Sequence, residues 1–135
     1  VKRWSILGLA LALLVAFAVP AGAKMIFLGR SQDGELFVID RVIKKGDDCL
    51  VVGTVLWLKN LKKTGYGMVK AIVRAELVCC RAQTYQMMAY RYLDADNKPL
   101  FSRNIPASRV RVIKAQPGTV GYNLVKKVCE PGFAK

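Results

Sequence analysis

From Met68 to Cys80 the chain reads MVKAIVRAELVCC. The odd positions Val69, Ala71, Val73, Ala75, Leu77 and Cys79 are all apolar or sulfur-bearing, while Lys70, Arg74 and Glu76 fall on even ones. A period of two over this length predicts an antiparallel strand with one buried face. Upstream, Met25 to Gly29 and Glu35 to Asp40 flank Ser31-Gln32-Asp33-Gly34, and an Asp-Gly pair between two apolar runs signals a hairpin. Cys49 to Lys59, CLVVGTVLWLK, is rich enough in β-formers to be a third strand, and Asn60 to Gly67 then turns the chain into the central one. Thr84 to Asp94 and Pro99 to Arg103 supply a fifth and a sixth strand around the turn Asp94–Lys98. The aspartates of that turn lack the third oxygen ligand and closing glutamate of a calcium loop.

From Ile105 to Ala115 cations and β-branched residues alternate through Arg109-Val110-Arg111-Val112-Ile113-Lys114. That pattern predicts an edge strand or extended segment protected by charge. The period changes after Pro117-Gly118. Thr119 stands as an N-cap, and Val120, Leu124, Val125 and Val128 form the apolar stripe of a helix over 119–128 that ends at Cys129. The fold class is therefore α+β: about six antiparallel strands and one C-terminal helix.

The first 23 residues stand apart. Lys2 and Arg3 precede an apolar run from Leu7 to Val19 and a small-residue Ala21-Gly22-Ala23 site. This is the order of a secretory signal peptide, and the run is short for a membrane span. The expectation is a leader over 1–23 and a single exported domain over 24–135, periplasmic, secreted or at the cell surface, and not membrane-spanning after cleavage. No cysteine lies near the cleavage point to carry a lipoprotein anchor.

Lys2 and Arg3 belong to the leader, so the formal net charge falls from +13 for the whole sequence to +11 for the domain. In the cytoplasm such a balance would suggest nucleic acid. Outside it, the expected partner is an anionic polymer or an acidic protein surface, such as an envelope component or a host matrix protein, with no nucleic acid in vivo. Candidate contacts are Arg109, Arg111 and Lys114, which alternate along the segment before the helix. Lys62 and Lys63, beside Tyr66 at the tip before the central strand, are second candidates.

Catalysis finds little support. The sequence has no histidine and only nine carboxylates, all scattered. The four cysteines, Cys49, Cys79, Cys80 and Cys129, include no C-x-x-C pair for zinc or dithiol redox chemistry, and in an exported domain they predict disulfides. Tyr85, Met87, Met88, Tyr90 and Tyr92 read as cross-strand packing rather than a box for a flat ligand such as haem, so no cofactor is expected. Two non-catalytic classes remain. One is a binding module. The other is an accessory or inhibitor protein acting on another envelope protein.

The order of features, an Asp-Gly hairpin leading to FVID, a long strand ending ELVCC, then YLDADNKPL and finally PGTVGYNLVKKVC, resembles the surface-adhesin protein E family. The resemblance implies a six-stranded antiparallel sheet with the C-terminal helix packed on it. It also implies a terminal cysteine paired to one at the end of a central strand, and a surface protein that binds host extracellular-matrix and plasma proteins. Which cysteine pairs with Cys129 depends on the register. A two-residue turn at Thr64-Gly65 sets Cys49 opposite Cys80 and aligns Leu50, Val52, Leu56 and Leu58 with the odd positions of the central strand. Cys79 is then left for Cys129. A longer loop, with the register moved by one, exchanges the partners. The expectation favours Cys49 with Cys80 and Cys79 with Cys129.

Overall fold

The computed structural model describes residues 24–133; the expected leader over 1–23 lies outside them. The chain forms β1 (Met25–Arg30), β2 (Gly34–Lys45), β3 (Cys49–Thr64), β4 (Gly67–Cys79), β5 (Thr84–Leu93) and β6 (Pro99–Asn104). A 3-10 turn (Ala107–Arg109), a two-residue β7 (Ile113–Lys114) and a helix, α1 (Val120–Val128), follow. Strands β1 to β6 pair in sequence order, each antiparallel to the next. β7 pairs the start of β5, at Thr84 and Tyr85, on the edge whose other end β6 occupies. No helix among the described residues is long and apolar enough to cross a membrane.

Local chemistry accounts for the helix. The Thr119 hydroxyl accepts the Tyr122 N–H at 3.1 Å, satisfying one of the unpaired donors of the first turn. Leu124, Val125 and Val128 form the buried stripe. They pack on Leu28 of β1, Leu36 and Val38 of β2, Leu50 and Val52 of β3 and Val78 of β4. The Asn123 side-chain amide donates to the Leu28 carbonyl at 2.8 Å, fastening the helix to the first strand. Gly121 lets the helix sit against the Tyr85 hydroxyl, because a Cβ there would overlap it.

Three expectations need correction, and the first two share a cause. The β3–β4 turn is Gly65-Tyr66, with Thr64 facing Gly67, rather than Thr64-Gly65. Between the pairs Lys62/Val69 and Trp57/Ala71 the chain takes five steps along β3 against two along β4. This bulge absorbs the offset, and Lys70 Nζ donates to the Leu58 carbonyl within it at 2.9 Å. Beyond the bulge the register places Cys49 opposite Cys79, Leu50 opposite Val78 and Leu56 opposite Ile72. The bridges are accordingly Cys49–Cys79 and Cys80–Cys129, with Cα separations of 4.1 and 5.7 Å, and not the favoured Cys49–Cys80 and Cys79–Cys129. The helix lies over the even positions of β4. The odd ones, with Val69, Ala71, Val73 and Ala75 all buried, line the opposite face. The third correction concerns 105–115, expected as an edge strand or extended segment: a 3-10 turn takes Ala107–Arg109, while Val110 is extended and Ile113–Lys114 pairs with β5 at the edge.

Candidate functional site

The helix covers only part of its face of the sheet. Toward the β3–β4 turn the same face continues through Ile72 and Arg74 of β4, Tyr90 and Tyr92 of β5 and Phe101 and Arg103 of β6, placed side by side by the pairs Arg74/Tyr90, Ile72/Tyr92, Tyr90/Arg103 and Tyr92/Phe101. The aromatic rings form a continuous strip. Tyr66, from the turn, stacks on Phe101 with centroids 4.0 Å apart, Phe101 lies 5.8 Å from Tyr92, and Tyr92 lies 5.2 Å from Tyr90.

A wall for this strip comes from the segment after β6. The Ile105 N–H donates to the Met88 carbonyl at 2.9 Å, and Arg109 closes the 3-10 turn by donating its N–H to the Pro106 carbonyl at 2.8 Å. The turn returns Arg109 to the sheet. Arg74, Arg103 and Arg109 thereby line one cavity of about 410 Å³ with Tyr90, Tyr92 and Ile72. Among the described residues no carboxylate lines it.

Arg74 is held from beneath. Its Nε donates to the Thr54 hydroxyl at 3.3 Å, and that hydroxyl donates in turn to Glu76 Oε2 at 3.0 Å. A terminal nitrogen of the guanidinium lies 3.5 Å from the same carboxylate oxygen. Thr54 and Glu76 are 0% and 3% exposed, so these two are sealed into the sheet beneath the partly exposed Arg74, and every member of the network is hydrogen-bonded, as burial requires. Glu76 offsets the charge of Arg74, and Arg103 and Arg109 leave the cavity net positive.

Tyr92 stays protonated at neutral pH. Burial pushes the Tyr92 hydroxyl above the ordinary phenol value, and Tyr90 beside it adds to the shift. Tyr85, between this cavity and the helix, is pushed up by burial and then by the charge of Glu76, with Arg74 opposing. The arrangement can therefore present guanidinium forks and the neutral Tyr92 hydroxyl to an anionic group, which arginine binds in bidentate geometry.

Of the five candidate cations, the structure brings only Arg109 into this cavity. Arg111 is exposed outside any regular element. Lys114 points to the other end of β5, where its Nζ donates to the Ala82 carbonyl at 3.0 Å. Lys62 and Lys63 are exposed on β3 opposite Val69 and Met68 and do not line the cavity. Sequence reasoning passed over Arg74 and Arg103. The available signal was Arg74 and Glu76 on one face of a strand otherwise fit for burial, since ionised residues in such a place must be paired.

No family model and no curated protein matches the chain. Among solved structures the fold is similar to that of protein E from non-typeable Haemophilus influenzae. The TM-score is 0.57 at 10% sequence identity, and the match covers 85% of this chain and 84% of that one. At that identity the likeness is one of fold.

Proposed function

We propose that the domain is an exported, non-enzymatic binding module that recognises an anionic polymer or acidic protein surface through the arginine and tyrosine cavity. The observation that carries this reading is the convergence of Arg74, Arg103 and Arg109 on one cavity with no carboxylate in its lining among the described residues. The formal charge, +13 for the sequence and +11 without the expected leader, would draw anionic partners toward it. Charge alone gives diffuse attraction. Fixed guanidinium groups between aromatic faces give a place for a sulfate, phosphate or carboxylate attached to a larger body.

The test is retention on heparin-like and lipopolysaccharide matrices at physiological salt. Wild type should be retained, and the Arg103→Ala, Arg109→Ala double variant should elute at clearly lower salt. Arg111→Ala with Lys114→Ala removes the same charge elsewhere and should elute later than that double variant. Equal elution of the two double variants would show that net charge acts without a site, and failure of wild type to bind would end the reading.

A further inference from the structure

The large apolar side chains that this domain exposes fall into separate groups. Met25 and Trp57 border an apolar chamber on the face away from the helix, and Val112 and Ile113 belong to the segment that precedes α1. Leu61, Tyr66 and Met68, 48%, 54% and 45% exposed, lie together at the end of the β3–β4 hairpin. The strand pairing puts them there. β2 accompanies β3 only as far as Leu58, and β5 accompanies β4 only back to Ala71, while β3 and β4 continue together to Thr64 and Gly67. Among the described residues the end of the hairpin therefore has no strand paired on either side of it.

The charge of this tip has one sign. From Lys59 to Lys70 the sequence holds four lysines and neither aspartate nor glutamate. Lys59, Lys62 and Lys63 are exposed, and among the described residues none of the three is in an ion pair. Asp33, Asp94 and Asp96 stand on the neighbouring turns, and the Asp94 carboxylate accepts the N–H groups of Asp96 and Lys98 at 2.8 and 2.9 Å. The tip is also held in shape. Thr64 Oγ1 donates to the Gly67 carbonyl at 2.8 Å and accepts the Tyr66 N–H at 3.1 Å, and the Tyr66 ring stacks on Phe101. A surface that is already ordered loses little freedom when it docks.

We infer that the end of the β3–β4 hairpin docks the domain on a bilayer rich in anionic phospholipid. Leu61 and Met68 enter the boundary between head groups and acyl chains, where their apolar surface leaves water. The Tyr66 ring sits at head-group level, as amphipathic rings do, and the lysine ammonium groups reach lipid phosphates while their stems stay along apolar surface. A soluble polyanion would satisfy the lysines and leave Leu61 and Met68 in water. A neutral membrane would do the reverse. An anionic bilayer meets both. This surface is distinct from the arginine and tyrosine cavity, which Leu61, Lys62, Lys63 and Met68 do not line.

Vesicle sedimentation with residues 24–135 tests the inference, using phosphatidylcholine alone and with phosphatidylglycerol added. Binding is expected to the mixed vesicles and not to the neutral ones, and it should weaken with salt. At about fivefold in affinity per lysine, Lys62→Gln with Lys63→Gln should bind about 25-fold more weakly. Leu61→Ser with Met68→Ser leaves the charge unchanged and should lose about tenfold. All four positions are exposed, so these variants keep the core. Arg111→Gln with Lys114→Gln removes the same charge elsewhere and should stay within about threefold of wild type, as should the Arg103→Ala, Arg109→Ala variant of the cavity, which reads the two surfaces apart. With a spin label on the lipid acyl chains, the methyl signals of Leu61 and Met68 should broaden and those of the also exposed Val112 and Ile113 should not. The inference is overturned by absence of binding to the anionic vesicles, by equal binding to the neutral ones, by undiminished binding of the Leu61 and Met68 variant, by equal losses in the two glutamine double variants, or by broadening at Met25 in place of the hairpin.

Discussion

Glu76 places a carboxylate in the middle of a β-sheet, and what makes this tolerable is the Thr54 hydroxyl and the Arg74 guanidinium that meet it. Removing one partner of a buried pair leaves the other desolvated and uncompensated. Glu76→Ala should therefore lower the unfolding free energy by about 3 kcal/mol, measured by urea denaturation. Glu76→Gln keeps the shape and the Thr54 contact but leaves Arg74 unneutralised. It should lose less stability and yet hold heparin to higher salt than wild type, and that opposition of signs separates a structural role from an electrostatic one. Tyr85 and Tyr92 add a pH signature. Both are raised above the phenol value, by burial first, so the folded protein keeps these protons where the unfolded chain releases them. Their contribution is intact below about pH 10 and is lost as pH rises through the folded values. Thermal unfolding followed from pH 8 to 12 should show stability falling on the alkaline side, with a shallower fall in Tyr85→Phe.

Among the elements, the β3–β4 hairpin decides most of the covalent structure. Its strands were legible from alternation, because the odd positions of β4 had to share a face. Its register was not. The sequence NLKKTGYG contains two glycines that can begin the turn, and a bulge on β3 between Trp57 and Lys62 leaves no mark in a pattern of period two. A shift of one residue there exchanged the partners of Cys79 and Cys80. The helix was legible to within a residue because cap, stripe and terminal cysteine all agreed. The turn at Ala107–Arg109 was hidden for a physical reason: alternating cations satisfy an edge strand and a solvated turn equally well, and Pro106 favours the turn by removing an N–H. The candidate site was half legible, since Arg109 was named for its charge while its partners on β4 and β6 come together only through the register. Two measurements address this level. Thr119→Ala should cost about 1 kcal/mol by removing the cap. Replacing both cysteines of a bridge by serine should cost about 3.6 kcal/mol for Cys49–Cys79 and about 4.1 kcal/mol for Cys80–Cys129, from enclosed lengths of 30 and 49 residues. Only loss of the second should also speed amide exchange at the end of α1.

For the whole molecule, a single sheet separates two surfaces of unlike chemistry. One bears the helix and the arginine and tyrosine cavity, and the other curls around an apolar chamber. Adjacent Cys79 and Cys80 are bound in two different directions, to Cys49 and to Cys129. The backbone from 49 to 129 is consequently drawn as a figure of eight, two rings meeting at the peptide bond between residues 79 and 80. A nick anywhere else in either ring releases nothing, because the severed ends stay tethered through sulfur. One cut in each ring still leaves a single particle. Limited trypsin digestion should therefore leave residues 49–129 as one species on a non-reducing gel, shedding only pieces from outside the rings, and the same sample should fall into fragments once reduced. A protein met by proteases outside the cell would outlast its own backbone.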